Sequence, residues 1–192
     1  MGIENARGSD IMSADVVRGT GSDAIAVAKG KFLVECFDKD GKLKWTAENH
    51  NLVVNVGLQY MAGAALTSTS PITSWYLGLY GAGGSNNPAA SDTMSSHAGW
   101  TEATPYSNAT RPAATLAAAT NANPSVVTNS ASKATFNINA TATVGGAFLT
   151  SDSTKGGTTG TLFSAADFQS PGDRSVVSGD TLTVTYTFSL SA

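Results

Sequence analysis

Charge is what this sequence has least of. Of its 192 residues 13% are charged and the net charge is −3, against about 25% charged residues in an average globular domain. That balance offers nothing to hold a phosphate backbone, which excludes a nucleic-acid partner bound by charge. A single cysteine, Cys36, excludes an internal disulfide and fits a reducing compartment. Long apolar runs are missing too. The best, Leu52 to Leu66, is interrupted by Asn55, Gln59 and two glycines, and is too short and too polar to cross a bilayer. No membrane partner is expected. The opening MGIENARGSDIM puts charges and glycine where a signal peptide needs an apolar stretch, so no export is expected, and the sequons at Asn108 and Asn139 carry no weight.

In place of charge the chain has small residues: 29 Ala, 24 Thr, 22 Ser and 20 Gly, almost half of the total. The length suits one domain with a real core. Residues 1–28 hold scattered charges, four glycines and no apolar period, and are expected to form an extended arm without a core of its own. The domain proper is then residues 29–192. It opens with Lys31-Phe32-Leu33-Val34-Glu35-Cys36-Phe37, a turn Asp38-Lys39-Asp40-Gly41, and Lys42-Leu43-Lys44-Trp45-Thr46, a strand-turn-strand pattern that predicts a hairpin. Asn49-His50-Asn51 offers caps ahead of Leu52, and Val54, Leu58, Met61 and Ala65 recur at helical spacing, predicting one helix over 52–66. Ser74 to Tyr80 reads as a strand. Residues 81–124 follow as a long, mostly irregular excursion whose only charges are Asp92, Glu102 and Arg111. Connections of this length usually do a job, so this one is a candidate contact surface.

The C-terminal third alternates most strictly. Phe136, Ile138, Ala140, Ala142 and Val144 interleave with polar residues over 134–144, and Leu182, Val184, Tyr186, Phe188 and Leu190 do so over 181–190. Both are expected to be central strands with one buried and one wet face, the signature of antiparallel sheets. Shorter pieces at 125–128, 147–150, 161–163 and 175–177 complete a mainly β chain. An antiparallel β-sandwich or jelly roll with one short helix and an extended N-terminal arm is the expected fold.

Candidate chemistry is sparse. Two histidines, His50 and His97, are the available bases; Ser95-Ser96-His97 is a poor spacing for a nucleophile and its base, and no Gly-x-Ser-x-Gly elbow occurs. Two histidines and one distant cysteine do not make a zinc site. Asp38-Lys39-Asp40-Gly41 opens like a calcium loop but lacks the later ligands. Gly19-Thr20-Gly21 follows no predicted strand and lacks a third glycine, so no nucleotide motif is present. Cys36 shares a strand face with Phe32 and Val34 and reads as a buried small hydrophobe. Trp75, Tyr76 and Tyr80 are expected in the core more than on a sugar platform. No enzyme activity, cofactor or metal is expected.

The run from Gly30 to Leu66, with Phe32-Leu33-Val34, Phe37-Asp38-Lys39-Asp40-Gly41-Lys42, Trp45 and Asn51-Leu52-Val53-Val54-Asn55-Val56-Gly57-Leu58, resembles the opening of virion structural proteins of tailed bacteriophages. Trp75-Tyr76-Leu77-Gly78-Leu79-Tyr80, Asp92 to Glu102 and Tyr106 to Pro112 are similar to the same family, over about residues 30–190. The resemblance implies a capsid decoration, or cement, protein, made in the host bacterial cytoplasm and lying on the capsid surface as a homo-oligomer over a lattice of major capsid protein. The competing class is a tail-fibre or head-fibre receptor-binding module, and a third is a carbohydrate-processing domain. Candidate capsid contacts are Val16, Val17, Ile25 and Val27 in the arm and Trp100 and Tyr106 in the excursion.

Overall fold

The computed structural model describes residues 26–81, 87–169 and 172–192. Strands β1 (Val27–Phe37) and β2 (Leu43–His50) form the expected hairpin. Its turn is held by Asp38, whose carboxylate accepts from the backbone N–H groups of Asp40 and Lys42, both at 2.9 Å, while Gly41 takes φ +78°. Because β1 starts at Val27, the last two residues of the expected arm are strand; residues 1–25, with Val16, Val17 and Ile25, lie outside the described residues.

Strand β3 (Leu52–Val53) and helix α1 (Asn55–Leu66) replace the expected helix over 52–66. The helix begins later because Leu52 and Val53 pair with a strand, and Val54 stands at the N-cap with no side-chain cap bond. Asn49 and Asn51 are not caps. Asn49 accepts from the N–H of Gln169 at 3.0 Å, and Asn51 donates to the Tyr186 hydroxyl at 3.1 Å. The β-branched pair Val53-Val54 favours the extended backbone seen here.

The remaining strands are β4 (Tyr76–Gly81), β5 (Glu102–Ala103), β6 (Ser125–Thr128), β7 (Ala134–Asn137), β8 (Ala142–Thr150), β9 (Leu162–Asp167), β10 (Arg174–Val176) and β11 (Thr181–Ser191). They form two antiparallel sheets. The first runs β2-β1-β11-β6, with β7 also on β11; the second runs β3-β9-β8-β4-β5, with β10 on β8. The chain is mainly β, and its described residues form a sandwich of two antiparallel sheets with one helix.

The expected continuous strand over 134–144 is corrected. β7 belongs to the first sheet and β8 to the second, and the chain crosses between them at 138–141. Ile138 sits in that crossing, accepting from Gly179 and donating to the carbonyl of Asp180, both at 2.9 Å. Phe136, Ile138 and Val144 all face the shared core, which is why the alternation survives the change of sheet; Ala140, within the crossing, is exposed.

That core lies between the sheets and takes Phe32, Val34 and Cys36 of β1, Leu77 and Leu79 of β4, and Leu182, Val184 and Tyr186 of β11. The second sheet is buried on its other face as well. There Tyr80, Phe148, Leu162 and Ala165 are covered by Val54 at the start of α1 and by Met94 and Trp100 of the excursion. β8 is consequently buried from Val144 to Thr150, with no wet face to alternate against.

Candidate functional site

The excursion expected as a candidate contact surface is held in place by its three charged residues. Asp92 is buried and accepts from the N–H of Ala89 at 3.0 Å and from Trp100 Nε1 at 2.9 Å. Trp100 is 3% exposed, with its ring 5.1 Å from Tyr80 and 5.2 Å from Phe148. His97 stacks on Trp100 at 3.9 Å and shares a 2.8 Å hydrogen bond through Nδ1 with the Trp100 carbonyl, so its ring is engaged in holding the loop.

Arg111 carries the second anchor. Its side chain is fully buried and pairs with Glu102 in fork geometry, Nε to Oε1 at 3.0 Å and Nη2 to Oε2 at 2.7 Å. It also donates to the carbonyls of Asp152 at 2.9 Å and Gly157 at 2.7 Å, and its guanidinium lies 5.3 Å from the Phe148 ring centre. Glu102 accepts further from the Gly156 N–H at 2.7 Å and the Tyr106 hydroxyl at 3.2 Å. Burial pushes the Tyr106 hydroxyl pKa up, and the Glu102 carboxylate adds to it. Lys155 closes the loop of contacts, donating to the carbonyls of Tyr106 and Asn108 and lying 4.7 Å from the Tyr106 ring centre.

Of the candidate contact residues in the excursion, the structure places the rings of Trp100 and Tyr106 inside the chain. A large aromatic in a run of small residues is the piece with most area to bury, and the excursion is pinned by burying it. Val27 is half-buried at the start of β1, opposite Ser191. Sequence reasoning missed Arg111 and Asp92 as interior groups. The usable signal was that three isolated charges in so neutral a stretch need partners close by.

Cys36 lies buried between the sheets, with its sulfur 3.8 Å from Asp180. Burial, with the Asp180 carboxylate second, pushes its thiol pKa up to about 12. Asp180, itself 2% exposed, is paired with Lys44 at 2.5 Å and accepts from the Val177 N–H at 2.9 Å. Among the described residues no group of three or more His, Cys, Asp or Glu is placed to hold a metal ion.

What distinguishes the surface is where charge is and is not. The outer face of the first sheet carries ion pairs, Lys31 with Glu48 at 3.1 Å and Lys133 with Glu35 at 2.5 Å. By contrast the sequence from Asn51 to Ser91, and again from Pro112 to Ser132, contains no Asp, Glu, Lys or Arg. The fold brings parts of these two neutral stretches together. The Tyr60 ring of α1 meets Trp75 edge-on at 5.5 Å, the Tyr60 hydroxyl accepts from the Ile72 N–H at 2.8 Å, and Ala114 donates to the Trp75 carbonyl at 2.8 Å. Residues 73–76 and 113–116, bridged by hydrogen bonds at Trp75 and Ala114, line an open groove of about 320 Å³, with Thr73, Ser74, Thr115 and Leu116 in its lining. None of the residues of α1, of 72–76 or of 113–116 is charged. No family model matches the chain, and neither a curated protein nor a solved structure matches it.

Proposed function

We propose that this chain is a structural protein of a tailed-phage virion, binding the assembled shell of major capsid protein as a decoration, or cement, protein. The observation that carries the reading is the segregation of charge: no charged residue lines the groove at 73–76 and 113–116, while the outer face of the first sheet carries ion pairs. A protein that docks on a lattice needs a rigid, contact-ready face and no reacting groups. The anchors at Trp100 and Arg111 stiffen the excursion that builds part of this face. The resemblance of residues 30–190 to virion structural proteins supports the same reading. Binding only to the assembled lattice stabilises that lattice by linkage.

The test is to add the full chain to shells of the major capsid protein and image them by cryo-electron microscopy. The expected result is density on the head in hundreds of copies, with the groove side toward the shell. Thr115→Glu, which places a charge in the groove rim, is expected to abolish that density. Density in tens of copies on the tail or at one vertex would overturn the reading in favour of a fibre module.

A further inference from the structure

Helix α1 has an outer face that no other described residue covers. Over its 12 residues only Gly57 is buried, and the helix carries no charged residue. Leu58 is 45% exposed and Leu66 85% exposed, and Ala62 between them is exposed too. These three are spaced four residues apart, so they form one stripe along the helix. The flanking exposed positions Asn55, Gln59 and Ala65 are small or neutral, which puts Ala62 at the centre of the open face.

We infer that α1 is a two-fold contact between copies of this chain, each helix crossing its partner antiparallel at Ala62. Two features name a second copy as the occupant. The first is that the stripe is symmetric about its middle, large at Leu58, small at Ala62 and large at Leu66. In an antiparallel pair centred on Ala62, each Leu58 meets the other copy's Leu66, and the small residue at the crossing lets the helix backbones approach. The second is charge. A two-fold contact sets each surface against itself, so any charge on it meets its like; a neutral helix is free of that repulsion. The helix is about 18 Å long, so the pair lies at the small end of specific interfaces. Association is expected to depend on concentration.

This contact does not rest on the virion reading and uses different residues from the groove. Sedimentation velocity on the full chain across a wide concentration range is expected to show a species of twice the chain mass, and Ala62→Glu to leave a monomer with an unchanged melting temperature. Thr115→Glu is expected to keep the dimer. Register is read by cross-linking, since Cys36, the chain's one cysteine, is buried and does not compete. Ala62→Cys is expected to form a disulfide across the axis, and Leu58→Cys alone is not, because its two copies stand about 12 Å apart along the axis while a disulfide needs Cα atoms within about 7 Å. Adding Leu66→Cys to Leu58→Cys is expected to restore the cross-link. A monomer at every concentration, or Leu58→Cys linking as readily as Ala62→Cys, overturns the proposal.

Discussion

Phe148 lies over Gly78, its direct cross-strand partner, so closely that a methyl group on Gly78 would sit 2.1 Å from the ring. Two residues along, the roles reverse: Tyr80 lies over Gly146, where a methyl would sit 2.0 Å from its ring and 2.3 Å from the Ala166 carbonyl. Each strand supplies one ring and one bare backbone site, and Trp100 caps both rings. Gly78→Ala is therefore expected to cost about 3 kcal/mol, the upper end for overpacking. Gly146→Ala is expected to cost more, because the Ala166 carbonyl is backbone and cannot swing aside as a ring can. Urea midpoints measure both. An unchanged midpoint for Gly78→Ala would mean that the Phe148 ring moves freely.

Arg111 and Glu102 are a buried pair, and each is needed by the other. Arg111→Ala leaves the Glu102 carboxylate buried with its main partner gone and is expected to cost about 3 to 5 kcal/mol. Arg111→Lys is expected to recover little of it. A single ammonium cannot make the fork to Glu102 and also reach the carbonyls of Asp152 and Gly157. Thermal unfolding of the three proteins gives the comparison; equal melting temperatures for Arg111→Lys and the parent chain would refute the fork as the source of stability.

How much of this was legible in the sequence follows from which physical signal each part sends. The β1–β2 hairpin announces itself by alternation, and so does β11 at Leu182, Val184 and Tyr186; Thr185 on its polar face is buried as well, and Leu190 of the apolar set is exposed, so the expected buried and wet faces hold over only part of that strand. The alternation at 134–144 reported the shared core correctly and the continuity of the strand wrongly, since two strands in different sheets can face one core. β8 lost its pattern because the second sheet is covered on both sides. The start of α1 was misplaced because Leu52 and Val53 are claimed by β9, a pairing more than a hundred residues away that no local window contains. The uncharged surface was half legible. The neutral stretches are visible in the sequence, but their meeting depends on Tyr60, Trp75 and Ala114 coming into contact.

Burial of the Cys36 thiol makes the fold's stability fall at alkaline pH. Its thiol titrates at about 9.0 when free and at about 12 in the folded chain, so the folded state holds the proton more tightly. The stability this represents is fully present below pH 9 and is lost as pH rises toward 12. Burial pushes the hydroxyls of Tyr80, Tyr106 and Tyr186 up as well, so the tyrosines add to the fall above pH 10. Urea melts at pH 8 to 11 are expected to lose stability from about pH 9, and Cys36→Ala to remove the part that begins below the tyrosine range. At pH 8 the native thiol is expected to resist Ellman's reagent until denaturant is added. Rapid labelling of the folded chain would show that the β1 face opens.

Attachment to the shell is expected to tolerate salt. Screening weakens charge pairs between exposed surfaces, with a Debye length near 3 Å at 1 M ionic strength, and leaves apolar and hydrogen-bonded contacts largely intact. The groove rim at Thr73, Ser74, Thr115 and Leu116 has no charge to screen. Particles washed in 0.1 M and in 1 M sodium chloride are therefore expected to keep the same number of copies, scored by gel densitometry against the major capsid protein. Charge reversal on the outer face of the first sheet separates the two surfaces. Lys31→Glu breaks the exposed pair with Glu48 and is expected to change neither retention nor its salt dependence, because exposed pairs contribute about 0 to 1 kcal/mol and neither residue lines the groove. Release by 1 M salt alone, or loss of retention in Lys31→Glu, would move the docking surface from the neutral groove to the charged face of the first sheet.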